Sequence, residues 1–285
     1  MVSALLTDQM QKKLLQILNE DIGSGDITAA LVPRKKCRAT IAAGEQARVA
    51  GLEEVAYLFE QAKVSAKLHV NDGDLVEKGQ IVLEAEGVNQ NVLAVERTAL
   101  NILGRMSGVA TKCWQAVQAA KNPDMKILLT RKTMPGFNEF DKKACAFGGV
   151  GPHRMNLSDM VLVKENHLAF FETLPAALFR AKKSKYQGPI EIEVQNLQQA
   201  VQAMRTGIVD VVLLDNFSVE DARKAIPLLK KMGEVKIELS GGITLANLRE
   251  YAKLDPDFLS MGELTKDAKT VDFSLDIVEV LEGEA

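Results

Sequence analysis

Chemically useful side chains cluster at the ends of short apolar runs in the second half of this chain. KILLT (126–130) runs into Thr130, Arg131, Lys132 and Thr133, and MVLVK (160–164) ends in Lys164. IEIEV (190–194) carries Glu191 and Glu193 with period two, and VVLLD (211–215) ends in Asp215. VKIELS (235–240) leads into Ser240, Gly241 and Gly242, and FLSMG (258–262) ends in Gly262. A loop of unusual composition, GGVGPHRMNL (148–157), adds His153 and Arg154; its glycines and proline argue against regular helix or strand. Three chemistries sort out of these residues. Arg131, Lys132, His153, Arg154 and Lys164 form a basic group that needs anionic ligands, and the arginine fork suits carboxylate or phosphate. Glu193 and Asp215 close consecutive runs; such carboxylates hold Mg²⁺ through water, bind ribose hydroxyls, or face a developing positive charge. Glu191 points the same way but lies deeper, as a structural ion-pair partner would. The turns SGGIT (240–244) and MGELT (261–265) place backbone N–H groups where an anion can nest.

The elements that must carry these groups are strands alternating with amphipathic helices, which means βαβ units and a parallel sheet. Ser218 and Thr244 are expected helix N-caps, and Gly207 and Gly233 expected stops. Six runs over about 140 residues are too few for a complete eight-stranded barrel, which takes roughly 250. A reduced α/β barrel is the reading, with an open doubly wound sheet as the alternative. Polar residues and glycines at the strand ends occupy the edge where such folds carry their active sites.

The first hundred-odd residues have another rhythm. RATIAAGEQARVAG and AKLHVNDGDLVEKGQIVLEAEGV hold β-type runs broken by Asp-Gly and Lys-Gly turns, followed by a long helical tract that Gly104 and Gly108 are expected to split. Residues 1–115 therefore read as a separate α+β domain, and 116–271 as the barrel. The acidic tail, 272–285, reads as an amphipathic helix returning to the first domain. GDLVEKGQIV resembles carrier-domain hairpins, with Lys78 at the turn, but lacks the motif that flanks a modifiable lysine; a structural hairpin is preferred.

Composition excludes several classes. With 285 residues, 47% hydrophobic and 26% charged, the chain has enough apolar content for sizeable cores. A net charge of −3 gives no global field for nucleic acid. Cys37, Cys113 and Cys145 form no C-x-x-C pair, which suits a reducing compartment. The first residues turn charged too early for a secretory segment, no apolar run is long enough to span a bilayer, and a cytoplasmic protein is expected. His153 and His167 lack the spacing of a zinc site. Cys145 has no evident activating group, and neither a P-loop nor a strand-linked G-x-G-x-x-G occurs.

In order along the chain, EDIGSGDIT (20–28), ERTALNILGRMSGVAT (96–111), TRKTMPG (130–136), HRMNLSDMVLVKENH (153–167), IEIEVQNL (190–197), LLDN (213–216) and SGGIT resemble the quinolinate phosphoribosyltransferase family. The resemblance runs from residue 20 past 270. It implies a type II phosphoribosyltransferase of NAD biosynthesis, built from an N-terminal α/β-sandwich and an open, reduced barrel of six to seven strands. It implies at least a dimer, in which one subunit's N-terminal domain covers the other's barrel. Arg131, His153, Arg154 and Lys164 would bind the two carboxylates of quinolinate, with Arg97 reaching in from the partner subunit. Lys132 would contact phosphoribosyl pyrophosphate. Glu193 and Asp215 would hold its ribose and Mg²⁺, and Ser240, Gly241, Gly242 and Gly262 its 5′-phosphate.

The chain departs from the family pattern around the opening loop. Val150 and Pro152 interrupt G-G-G-x-x-H-R, Phe137-Asn138 replace Leu-Arg, Lys142-Lys143-Ala144-Cys145 replace Lys-Tyr-Ala-Val, and Asn156 replaces a glycine. A related branch associated with molybdenum-transport operons also has proline before His-Arg, but generally lacks the lysine found here as Lys164. A paralogue acting on another acidic heteroaromatic base is the first alternative, and a non-catalytic carrier or binding protein the second.

Overall fold

A computed structural model describes residues 6–281, which fall into two compact units. The first holds the chain up to Trp114, Met134–Gly149, and the chain from Asp267 on; the second holds Gln115–Thr133 and Val150–Lys266. Segment 134–149, read from the sequence as part of the barrel, thus belongs with the first unit.

In the first unit, α1 (Asp8–Ile22) is capped by Thr7, whose hydroxyl accepts from the Met10 N–H. Strand β1 (Lys36–Ala43) alternates buried and half-exposed positions, the mark of a sheet with one covered face. Then come β2 (Ala47–Arg48), α2 (Leu52–Gln61), β3 (Ser65–Leu68), β4 (Leu75–Val76) and β5 (Ile81–Val88). β5 pairs antiparallel with both β1 and β3. β4 pairs with β2 instead, so GDLVEKGQIV is not a hairpin of its own.

Helix α3 (Asn89–Ala120) is one continuous helix, not two. Its glycines serve approach rather than breakage: a Cβ on Gly108 would lie 1.9 Å from the Lys269 carbonyl oxygen, and one on Gly104 2.6 Å from that of Val271. Helix α4 (Asn138–Phe147) buries three charged side chains, Asp141, Lys142 and Lys143. Asp141 takes a two-pronged contact from Arg105 at 3.0 and 2.9 Å. Lys143 Nζ donates to Glu53 at 2.5 Å and Glu54 at 2.8 Å. Burial raises the pKa of Glu54, and Lys143 opposes that rise. Cys37, Cys113 and Cys145 are buried and free.

In the second unit all six apolar runs are strands: β6 (Lys126–Leu129), β8 (Val161–Val163), β9 (Ile190–Val194), β10 (Val211–Asp215), β11 (Lys236–Ser240) and β12 (Phe258–Met261). A seventh, β7 (Gly151–Pro152), comes from the Gly/Pro loop itself, contrary to the expectation that this loop avoids strand. It pairs parallel with β6 at the sheet edge, where a proline's missing N–H does no harm. The order is β7-β6-β12-β11-β10-β9-β8, parallel throughout. Between strands lie α5 (Glu165–Leu168), α6 (Leu174–Lys182), α7 (Leu197–Met204), α8 (Val219–Met232), α9 (Leu248–Ala252) and α10 (Glu263–Lys266). Ser218 caps α8 as expected and Gly233 ends it. Thr244 is not a cap; Asn247 precedes α9, its side chain accepting from the Thr244 N–H.

The tail corrects another expectation. β13 (Phe273–Val280) is a strand, pairing antiparallel with β1 and extending the sheet to β13-β1-β5-β3. Residues 282–285 of the helix expected over 272–285 lie outside the described ones. FSLDIVEV is acidic, but Phe273, Leu275 and Ile277 recur with period two, which suits a strand, and the alternation slips at Val278 where the pairing with β1 has an irregularity. No helix among the described residues is long and apolar enough to cross a membrane.

Candidate active site

Parallel register puts alternate residues of every strand in the second unit on one face. Glu191 stands beside Leu162 and Val211, Glu193 beside Leu213, Leu213 beside Glu238, and Asp215 beside Ser240. Ser260 stands beside Leu128, and Leu128 beside Gly151, two residues before His153. The other face carries Ile192, Val212, Leu214, Ile237, Leu239 and Leu259, all buried, and packs against helices such as α6 and α7. One face thus serves as core and the other as a polar interior.

That interior encloses a cavity of about 310 Å³, near the lower end for small-molecule sites. Of the residues expected at the site, Arg131, Lys132, His153, Arg154, Lys164, Glu193, Asp215 and Ser240 line it together. Gly241, Gly242 and Gly262 fall outside the lining, and Arg97 belongs to the first unit. Glu238 and Ser260 also line it, and neither was singled out from the sequence. The signal available for Glu238 was a polar residue at every second position of VKIELS (Lys236, Glu238, Ser240), weaker than the paired glutamates of IEIEV. A larger cavity of about 770 Å³ lies in the first unit, with few cations and without these strand ends.

Local bonds fix each group. The Lys132 N–H donates to Thr130 Oγ1 at 3.2 Å, and its carbonyl accepts from Thr265 at 2.8 Å. Arg154 donates to the Met160 carbonyl at 3.2 Å. Burial first, and Arg131 second, pull its pKa below the ordinary arginine value, a sign of crowded cations. Lys164 Nζ lies 2.5 Å from Glu193 Oε2. The His167 Nδ1 accepts from the Lys164 N–H at 3.0 Å.

His153 reaches across the interior. Its Nε2 lies 3.0 Å from Glu191 and 3.4 Å from Glu238, on β9 and β11. Five strand spacings separate β7 from β9, roughly 24 Å in a flat sheet. The contact therefore requires the sheet to curl, and it identifies the fold as an open barrel rather than a doubly wound sheet.

The glycine turns are tightly built. Gly241 and Gly242 have φ of +87° and +63°. A Cβ on Gly241 would lie 2.4 Å from Asn216 Oδ1, so both conformation and space demand glycine there. A Cβ on Gly262 would lie 2.9 Å from the Lys132 side chain. Glu263 accepts from the Leu245 N–H at 2.8 Å and ties the two turns together.

Two family models match the chain: quinolinate phosphoribosyl transferase, N-terminal domain, over residues 26–107, and the corresponding C-terminal domain over 109–276. The chain belongs to the quinolinate phosphoribosyl transferase family. Among relatives, it is 39% identical over 284 residues to a probable nicotinate-nucleotide pyrophosphorylase [carboxylating] of Methanocaldococcus jannaschii, covering 96% of this chain and 99% of that one. It is 36% identical over 222 residues to the human nicotinate-nucleotide pyrophosphorylase [carboxylating], covering 76% and 74%. The solved nicotinate-nucleotide pyrophosphorylase of Francisella tularensis matches with a TM-score of 0.90 at 33% identity, over 95% of this chain and 96% of that one. The two-part architecture, an antiparallel sheet with helices and a seven-stranded open barrel, is that of this quinolinate phosphoribosyl transferase fold.

Proposed function

We propose that this chain transfers phosphoribose from phosphoribosyl pyrophosphate to quinolinate with loss of CO₂, giving nicotinate mononucleotide and pyrophosphate for NAD biosynthesis. Family membership makes it a pentosyltransferase. The observation that carries the reading is one cavity holding four cationic side chains and His153 against Glu193 and Asp215.

Arg131, Arg154, Lys164 and His153 bind the acceptor's two carboxylates, as forked and point cations suit. Lys132 contacts the phosphoribosyl donor, and the turns of Ser240–Gly242 and Gly262 take its 5′-phosphate. As the bond from ribose C1 to pyrophosphate breaks, positive charge builds on C1, and Glu193 and Asp215 stabilise it. The pyridine nitrogen then bonds to C1. With that nitrogen quaternised, the C2 carboxyl leaves as CO₂; the electron pair stays on C2 beside the positive nitrogen, and C2 takes up a proton. The protein's part is positioning and charge complementarity.

Magnesium fits these residues through the substrate rather than a protein cage. The one group of three candidate donors among the described residues is His153, Glu191 and Glu238, not Glu193 and Asp215. Glu193 and Asp215 would hold Mg²⁺ together with water and phosphate oxygens, and the ion would supply positive charge for the departing pyrophosphate.

We also place Arg97 in the site of a second copy. Its side chain is 66% exposed, and its ion-pair contact, with Glu96, is long at 4.0 Å. A homodimer, or a larger assembly of such dimers, follows from this reading, and we place it in the cytoplasm.

The test is turnover of quinolinate, phosphoribosyl pyrophosphate and Mg²⁺ by the purified protein, following nicotinate mononucleotide and CO₂. Product from quinolinate supports the reading. Product from nicotinate alone overturns the two-carboxylate role of the basic group.

A further inference from the structure

We propose that Glu238 and Glu191 are positioning residues that clamp His153 as a permanent imidazolium, so that its second N–H is always available to a carboxylate of the acceptor base. This rests on the quinolinate reading above and adds to it two residues and a protonation state.

The argument starts from the ring. A neutral imidazole has one N–H and one lone pair. Here Nε2 faces the two glutamates at 3.0 and 3.4 Å, so its hydrogen is committed to them. Were the ring neutral, Nδ1 would present a lone pair, which repels a carboxylate. Burial pushes the Glu191 pKa up and His153 opposes that rise; with both glutamates ionised, only the imidazolium offers Nδ1–H as a donor.

The surroundings work against that charge. His153 lines the same cavity as Arg131, Lys132, Arg154 and Lys164, and its side chain is 8% exposed. Glu193 and Asp215 are the other carboxylates lining the cavity. One glutamate would suffice to orient the ring; two supply the charge that keeps the proton. Glu191 and Glu238 are each 1% exposed, and the Oε1 of each is buried without a hydrogen-bond partner. Burying two carboxylates this way is unfavourable unless a cation joins them. Burial pulls the His153 pKa down, but hydrogen bonds and charge from Glu191 and Glu238 outweigh it and raise it to about 10.

The experiment measures KM for quinolinate and for phosphoribosyl pyrophosphate from pH 6 to 9 in wild type, Glu238→Gln and Glu238→Asp. Wild type is expected to keep a flat quinolinate KM. Glu238→Gln is expected to raise it about tenfold or more between pH 7 and 9, as a group titrating near its ordinary value would. The donor's KM should follow wild type, and Glu238→Asp should restore much of the flatness. A quinolinate KM in Glu238→Gln that stays parallel to wild type overturns the clamp. ¹⁵N NMR of His153, one of three histidines, reads the clamp without turnover. A wild-type ring still protonated at pH 9 supports it, and one that titrates near 6.5 overturns it. A protein that ignores quinolinate yet keeps a protonated ring would sink the acceptor reading while leaving the clamp standing. Tight zinc binding lost in Glu238→Gln would make the triad a metal centre and overturn the proposal.

Discussion

Lys164 Nζ lies 2.5 Å from Glu193 Oε2, joining a cation assigned to the acceptor base with a carboxylate assigned to the ribose. Lys164 is 40% exposed and Glu193 14%, so the pair sits where water still competes. Each is the other's counter-ion, and under the proposed roles acceptor binding draws Lys164 away from Glu193.

Replacing Glu193 with glutamine separates the two roles. The turnover number should fall about 10²–10³-fold, the scale for losing a group that faces transition-state charge. The quinolinate KM should not rise, because Lys164 is released rather than removed. Steady-state kinetics with each substrate varied in turn checks this; a matching rise in quinolinate KM would put Glu193 on the acceptor.

Arg131→Ala should raise the quinolinate KM by about 2–3 kcal/mol equivalent, the scale of charged hydrogen bonds. Lys224 is the proper comparison, since it is exposed and pairs with Glu220 on α8. Lys142 would be a poor one, because its side chain is fully buried. Equal effects of Arg131→Ala and Lys224→Ala would mean the pocket is misplaced.

The His153 clamp also makes stability depend on pH. The folded pKa, about 10, lies above the ordinary 6.5, so the contribution is complete below about pH 6.5 and is lost as pH rises through 10. The stability advantage of wild type over His153→Gln should therefore shrink steadily from pH 6.5 to 10, as read by denaturant melts. An advantage that grows with pH would reverse the sign.

Lys143→Met should destabilise the fold by roughly 3–5 kcal/mol, because it strands the buried Glu54 carboxylate without its cation. Activity per folded molecule should change little, which thermal melts beside active-site titration can separate. If stability is unaffected, the Lys143 cluster contributes little net energy.

Arg97→Ala and Lys132→Ala proteins should each be nearly inactive, and mixing them after subunit exchange should recover roughly a quarter of wild-type activity through hybrid sites, as independent exchange between symmetric two-site dimers requires. No recovery, with exchange demonstrated by mass, would place Arg97 outside the partner's site.

Much of the fold is legible in the sequence. Strands β6 and β8–β12 announce themselves because each is a short apolar run ending in a polar or glycine residue. β7 was hidden because glycine and proline carry no strand signal; its two residues pair only because an edge position tolerates them. The tail was misread because its acidic residues resemble an exposed helix face, whereas pairing with β1 decides its state. Gly104 and Gly108 looked like breakers, although tertiary approach of 269–271 overrides their poor helix propensity. Glu238 was passed over because a carboxylate in an apolar run reads as noise until parallel register sets it beside Leu213, opposite a histidine from the far edge.

The open barrel's division between an aliphatic outer face and an ionic inner one has a consequence for how the sequence can change. In β9, β10 and β11, neighbouring positions answer to different masters: Ile192, Leu214 and Leu239 are buried on the helix side of the sheet, while Glu193, Asp215 and Ser240 line the cavity. Change at the cavity-lining positions can proceed without touching the helix-facing set. A tally of tolerated substitutions along these strands should alternate residue by residue, folding yield failing at one parity and catalysis at the next.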